Sequence, residues 1–164
     1  MECEENELTD LDLSENCRLH YLFCVFNKLK TLNVNNCRKL TYINCTGNKL
    51  KSIDLSENAE LNSFLCLGND FTSLDFTGNR LMEDLCCADC IKLERVDISR
   101  CHMLQKMDCS NTRLKTIDVS QNRALKQFYC DFNKYLDTIY VWKGFEPSKI
   151  KISLEETNAC IVEK

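Results

Sequence analysis

Laid on itself at an offset of 21 residues, this chain matches for most of its length. Coils begin at Leu8, Leu29, Leu50, Phe71, Leu93 and Leu114, at spacings of 21, 21, 21, 22 and 21. The first reads Leu8, Leu11, Asp12, Leu13, Ser14, Asn16, Leu19, Leu22, Cys24, Asn27. The third repeats it as Leu50, Ile53, Asp54, Leu55, Ser56, Asn58, Leu61, Phe64, Cys66, Asn69. The fourth coil carries its extra residue near Cys90, Ile91 and Lys92. After the sixth, Leu136, Ile139 and Val141 begin a further turn that breaks off at Trp142-Lys143-Gly144. A repeat of this length is one supersecondary unit that cannot bury its apolar face alone, so the copies must stack.

Each coil holds the element Leu-x-x-Leu-x-Leu/Cys-x-x-Asn twice. Within both halves, residues two apart alternate inward and outward, which is the period of a strand. Helical spacing is not sustained over a dozen residues anywhere. The expected fold is therefore mostly β: a solenoid with two short parallel strands per coil, stacked into two parallel sheets around a narrow core, with little helix. Residues 1–7 read as an N-terminal extension, 8–141 as six coils and a partial seventh, and 142–164 as a C-terminal cap. In the cap, Ile150, Ile152 and Leu154 alternate as a strand, and Cys160-Ile161-Val162 reads as another. The first seven residues are too short and acidic to cap well, which leaves a longer chain or an N-terminal partner to cover that end.

Leu19-x-x-Leu22-x-Cys24-x-x-Asn27-x-Leu29 resembles the most regular segment of leucine-rich repeats, the part whose strand lines the concave face. The remainder, Leu11-Asp12-Leu13-x-x-Asn16, is similar to the nested 21-residue bacterial variety of that family, sometimes called IRREKO. The resemblance covers residues 8 to about 141. It implies a secreted or surface-attached interaction module, often from a gut anaerobe, and not an enzyme. It transfers no ligand.

Three columns repeat down the stack. Asn16, Asn58, Asn79 and Asn122, with Cys37 and Cys101 between them, form one; Asn27, Asn48, Asn69 and Asn133, with Cys90 and Thr112, form the other half's equivalent. An Asn there can bond the turn backbone of its own and adjacent coils, which explains how a chain with 4 Gly and 1 Pro makes so many turns. Asp12, Asn33, Asp54, Asp75, Asp97 and Asp118 form an acidic ladder. Bonding to Ser14, Ser56, Thr77, Ser99, Ser120 and nearby amides is the expected role, because calcium needs more oxygens than one repeating carboxylate supplies.

Cys24, Cys45, Cys66, Cys87, Cys109 and Cys130 all fall on one inward position. Stacked strands hold neighbouring Cβ vectors parallel, which suits a disulfide poorly. The total of 13 is also odd. Reduced thiols acting as small apolar side chains are expected, and with them a reducing cytosol or an anaerobic exterior. Cys87, Cys90, Cys101, His102 and Cys109 lie close in sequence, yet their columns point to different places, so no metal site or cofactor is expected.

The net charge is −4, and Lys and Arg are scattered with no run longer than two, which argues against nucleic acid. No apolar stretch is long enough to span a membrane. The acidic start is no signal peptide, leaving either a cytoplasmic protein or a chain that begins after a removed export signal. His20 and His102 sit at unrelated positions, and no nucleophile–base set or phosphate loop is present, so no catalytic residues are assigned.

The outward positions beside the Cys column vary strongly between coils, and variation is what a ligand-contacting position permits. Tyr21, Phe23, Val25, Phe26, Tyr42, Asn44, Leu65, Leu67 and Tyr129 are the candidate contacts for a protein or glycan partner, bound by a monomer. A solenoid has no core reason to place aromatic residues there. The competing reading is that some only pack on each other across strands. At the level of function, a passive spacer and a thiol-metal or enzymatic protein are the alternatives.

Overall fold

The alternating residues form strands of three or four residues, and the computed structural model describes all of residues 1–164. The first coils give β1 (Asp10–Asp12), β2 (Tyr21–Phe23), β3 (Thr31–Asn33) and β4 (Tyr42–Asn44). The middle gives β5 (Ser63–Leu65), β6 (Ser73–Asp75), β7 (Asp84–Cys86), β8 (Arg95–Asp97) and β9 (Lys106–Asp108). The last part gives β10 (Thr116–Asp118), β11 (Gln127–Tyr129), β12 (Thr138–Val141), β13 (Lys151–Ser153) and β14 (Cys160–Glu163). Helix is confined to one 3-10 turn, Pro147–Lys149.

Seven strands form one parallel sheet in the spatial order β13, β11, β9, β7, β5, β4, β2. Its register follows the repeat, with Tyr21 beside Tyr42, Tyr42 beside Ser63, and Ser63 beside Asp84. Each coil thus adds one residue to each column, roughly 4.8 Å from the last. The middle residue of each strand points inward: Leu22, Ile43, Phe64, Leu85, Met107 and Phe128 are fully buried. The Cys column follows directly, and Cys24, Cys45, Cys66, Cys87, Cys109 and Cys130 are also buried in the core.

The opposite side is parallel but discontinuous. It is broken into β1 with β3, β6 with β8, and β10 with β12 and β14. Ile53, expected at the centre of a strand in the third coil, lies in none. Where the ladder survives, amides reach across, as from Leu13 to the Asn33 carbonyl at 2.8 Å and from Phe76 to the Asp97 carbonyl at 2.9 Å. The matching bonds from Val34, Leu55 and Ile98 do not form.

The N-terminal residues also differ from expectation, because they join the sheet. The Met1 ammonium donates to the Tyr21 carbonyl at 2.8 Å, and the Phe23 amide donates to the Met1 carbonyl at 3.0 Å. The Cys3 amide then reaches the Phe23 carbonyl at 2.9 Å, and that of Glu5 the Val25 carbonyl at 2.9 Å. The acidic side chains of Glu2, Glu4 and Glu5 are no obstacle, since all three are exposed. Cys3 and Asn6 lie one repeat before Cys24 and Asn27, so the segment is in register. At the other end, β13 extends the main sheet and β14 pairs with β12. Trp142 and Phe145 meet edge to face beside them, with ring centroids 4.8 Å apart.

Candidate functional site

The turn after each main-sheet strand is built around one side chain. Asn48 donates from Nδ2 to the Cys24 carbonyl of the previous coil at 2.9 Å and to the Cys45 carbonyl at 3.0 Å. Its Oδ1 accepts the Leu29 amide at 3.0 Å. Asn69 repeats this with the Leu50 amide, and Asn133 with that of Thr112. Both ends of the amide side chain are therefore used.

The opposite turns use only the donor end. Asn58 donates to the Val34 and Cys37 carbonyls at 3.1 and 3.0 Å, and Asn79 and Asn122 do likewise one coil apart from their targets. The Oδ1 atoms of all three are buried and receive no hydrogen bond. Cys37 and Cys101 stand in the same column and direct Sγ at the same kind of carbonyl, to Leu13 at 3.2 Å and Phe76 at 3.5 Å. A thiol donates but accepts weakly. It can replace the donor end of Asn, and Cys90 does so on the main-sheet side too, bonding the Cys66 carbonyl at 3.3 Å. The two halves differ where Asn48, Asn69 and Asn133 also accept a backbone amide.

The residue before each main-sheet turn Asn has left-handed backbone. The column runs Glu5 (φ 52°), Phe26 (51°), Gly47 (68°), Gly68 (67°), Asp89 (56°) before Cys90, Asn111 (52°) before Thr112, and Phe132 (57°). Gly, Asp and Asn occupy this region at little cost, whereas a bulky residue there is strained. Phe26 and Phe132 occupy it and keep 60% and 48% of their surface exposed.

Around Phe26 the structure gathers most of the residues singled out in the sequence. Tyr21, Phe23 and Val25 lie on and just beyond β2, Tyr42 and Asn44 on β4, and Leu65 and Leu67 on and just beyond β5. These are three adjacent strands of one face. Tyr21 is 57% exposed, while Phe23, Val25, Tyr42, Asn44, Leu65 and Leu67 are half-buried. Phe23 leans diagonally onto Tyr42, with ring centroids 5.0 Å apart. Asn44 has turned inward to its own loop, its Oδ1 accepting the Thr46 amide at 3.2 Å.

Tyr129 is not part of this group. It lies on β11, separated from β5 by β7 and β9. Those strands present Asp84, Cys86, Lys106 and Asp108 on the same face, and Lys106 approaches Asp84 at 3.6 Å. Tyr129 itself donates to Gln127 and lies under the Lys151 ammonium, 5.3 Å from its ring centroid. The face is thus apolar and aromatic over its first three coils and charged beyond.

The columns that might have carried chemistry are engaged structurally. All thirteen thiols are free. Burial pushes Cys24 and Cys101 up to about 12 and Cys86 up to about 11, so none of these is an activated thiolate. Cys90 bonds the Cys66 carbonyl and Cys101 that of Phe76 on the other side of the coil, and no three His, Cys, Asp or Glu side chains converge. In the acidic ladder, each Oδ1 accepts the amide two residues on. The distances are 3.0 Å from Ser14 to Asp12, 3.0 Å from Ser56 to Asp54 and 2.8 Å from Thr77 to Asp75.

These features make the chain a parallel β-solenoid with a leucine-rich-repeat-like fold. No family model and no curated protein matches the chain. Among solved structures it is similar to the functional domain of InlJ from Listeria monocytogenes, which includes a cysteine ladder. That match has a TM-score of 0.65 at 22% identity over 98% of this chain, and the chain spans 39% of the InlJ structure. An internalin C2 from the same organism matches at TM-score 0.48 and 13% identity, covering 96% of this chain and 77% of its own. At 22% identity the first likeness speaks for the fold alone.

Proposed function

We propose that the chain is a non-catalytic interaction module that binds a protein partner through the outward main-sheet face of its first three coils. Tyr21, Phe23, Tyr42 and Phe26 are the anchors, with Val25, Leu65 and Leu67 as the apolar surround and Asn44 shaping the edge. The observation that carries this reading is Phe26. An exposed phenyl in left-handed backbone, where the next two coils have Gly47 and Gly68, is costly for the fold and gains it little burial. Beside it, Tyr21 offers a large, mostly exposed contact surface with a polar tip. The unbroken ladder on this side, against the broken one opposite, is what a face on the inner curve of the solenoid requires. The two turn columns in each coil likewise fit the nested 21-residue repeat variety.

The test compares capture of surface proteins by the wild-type chain and by a Tyr21→Ala, Phe23→Ser, Tyr42→Ala variant whose thermal unfolding is unchanged. A partner held by the wild type and lost by the variant supports the site. The same partners on both would move the search to another surface.

A further inference from the structure

Two coils are longer than the others at the same turn. Between the turn Asn, or its replacement, and the next core Leu or Phe, most coils have a single residue: Lys28, Lys49, Asp70 or Arg113. The fourth coil has two, Ile91 and Lys92, and so does the sixth, Lys134 and Tyr135. The longer turns therefore stand on either side of the fifth coil's shorter one. Ile91 is 56% exposed and Tyr135 42% exposed. With Phe132 and Arg113 they line an open groove of about 440 Å³.

Phe132 is the second phenyl placed in left-handed backbone, again largely exposed. Nothing in the packing of the core requires it there. Two cations meanwhile lie over the Tyr135 ring. The Arg113 guanidinium carbon lies 5.4 Å from the ring centroid and the Lys134 ammonium 5.0 Å, within cation–π range. Neither forms an ion pair within the chain, whereas the neighbouring Lys92 is neutralised by Asp70 at 2.6 Å. Two cations without an ion partner thus stand together beside three exposed apolar side chains.

We propose that this groove binds an acidic peptide segment, its carboxylates meeting Arg113 and Lys134 and an apolar side chain lying between Ile91 and Phe132. Charge complementarity selects an anionic ligand. The Tyr135 ring is already engaged by the two cations, which favours a peptide over a sugar ring that would need that surface for stacking. The site lies on the turn edge of the fourth to sixth coils and does not depend on the sheet face proposed above.

The test is fluorescence anisotropy with a labelled hexapeptide, Glu-Asp-Leu-Phe-Glu-Asp, added to the full chain at low and at physiological salt. Saturable binding is expected, weaker at higher salt. An R113Q/K134Q variant should bind about tenfold more weakly, and an F132G variant should also lose affinity. A Tyr21→Ala, Tyr42→Ala variant should bind as the wild type does, which separates this site from the sheet face. Absence of saturable binding would overturn the proposal, as would equal affinity in R113Q/K134Q. Equal binding of the peptide with Gln and Asn in place of its acids, or tighter binding of an oligogalacturonate, would overturn it too.

Discussion

The ring of Phe26 lies across Gly47 of the next coil, over the place where any other residue would carry its Cβ. Phe26 and Gly47 occupy the same repeat position and both have left-handed backbone. One supplies an exposed ring and the other the flat surface on which it rests. The turn takes left-handed backbone at this position in neighbouring coils as well, so glycine can stand at position 26 without changing it.

Glycine at position 26 or 132 relieves the left-handed strain, offset by the greater freedom it gives the unfolded chain. Phe26→Gly and Phe132→Gly are expected to leave stability within about 1 kcal/mol of wild type in urea unfolding. Gly47→Ala places a Cβ against the Phe26 ring in strained backbone and should cost roughly 1–2 kcal/mol. If Phe26→Gly proved as damaging as Gly47→Ala, the Phe26 ring would be a structural element and not a free contact.

The two Asn columns differ in what they accept. Replacing Asn48 by Cys leaves the buried Leu29 amide without its acceptor, at a cost of about 1–3 kcal/mol. In Asn58→Cys the thiol can serve the same carbonyls, and the lost Oδ1 had no donor. Urea unfolding of both variants should show Asn48→Cys clearly the less stable. Equal losses would mean that the donor end alone governs both turns.

Thiol accessibility follows from the same packing. Among thirteen cysteines only Cys17 and Cys160 are exposed, and Cys3 and Cys86 are half-buried. Titration of the native chain with a thiol reagent should show two fast-reacting groups, identified by peptide mapping as Cys17 and Cys160. The six ladder thiols should react only on unfolding. Fast labelling of Cys66 or Cys109 in the native chain would contradict a closed core.

The acidic ladder gives a pH dependence of definite sign. The Ser14 and Ser56 amides hold the Asp12 and Asp54 carboxyls below the ordinary value of 3.8, and the Ser99 hydroxyl and amide do so for Asp97. Folded values below unfolded ones mean that this contribution is present at neutral pH. It is lost as pH falls below about 4 and passes through the folded values. Carboxyl NMR titration should place the Asp12, Asp54 and Asp97 midpoints below 3.8. Midpoints at or above it would show that these turn bonds do not persist in solution.

Much of this architecture is legible in the sequence because a repeat turns one chain into its own alignment. The alternation around Leu22, Ile43 and Phe64 identifies the inward column, and the spacing of Cys24, Cys45 and Cys66 the ladder beside it. Periodicity does not report the distance between coils, so the gap at Ile53 was invisible. Nor does it reveal which end of an Asn side chain is used, which is why Asn48 and Asn58 look alike in sequence. Cys3 and Asn6 carried a readable signal, one repeat before Cys24 and Asn27, obscured by the acidic residues around them. At the candidate face, neighbouring columns place Tyr21 beside Tyr42 and Phe23 against the Tyr42 ring. Tyr129 shares a column with Phe23 but stands several coils away, a separation that column membership alone does not express. The turn groove arises from a second inserted residue at Lys134-Tyr135, where the regular coils give way.

The most direct test of the sheet face places a photo-crosslinking p-benzoylphenylalanine at position 23 and, separately, at position 95 on the opposite side of the solenoid. Both chains are irradiated with surface proteins and the adducts identified by mass spectrometry. A defined adduct is expected from position 23, absent from position 95, that disappears when Tyr21→Ala and Tyr42→Ala are added. The same adduct from both positions, or one at position 23 that survives loss of both tyrosines, would contradict a partner site on the first three coils.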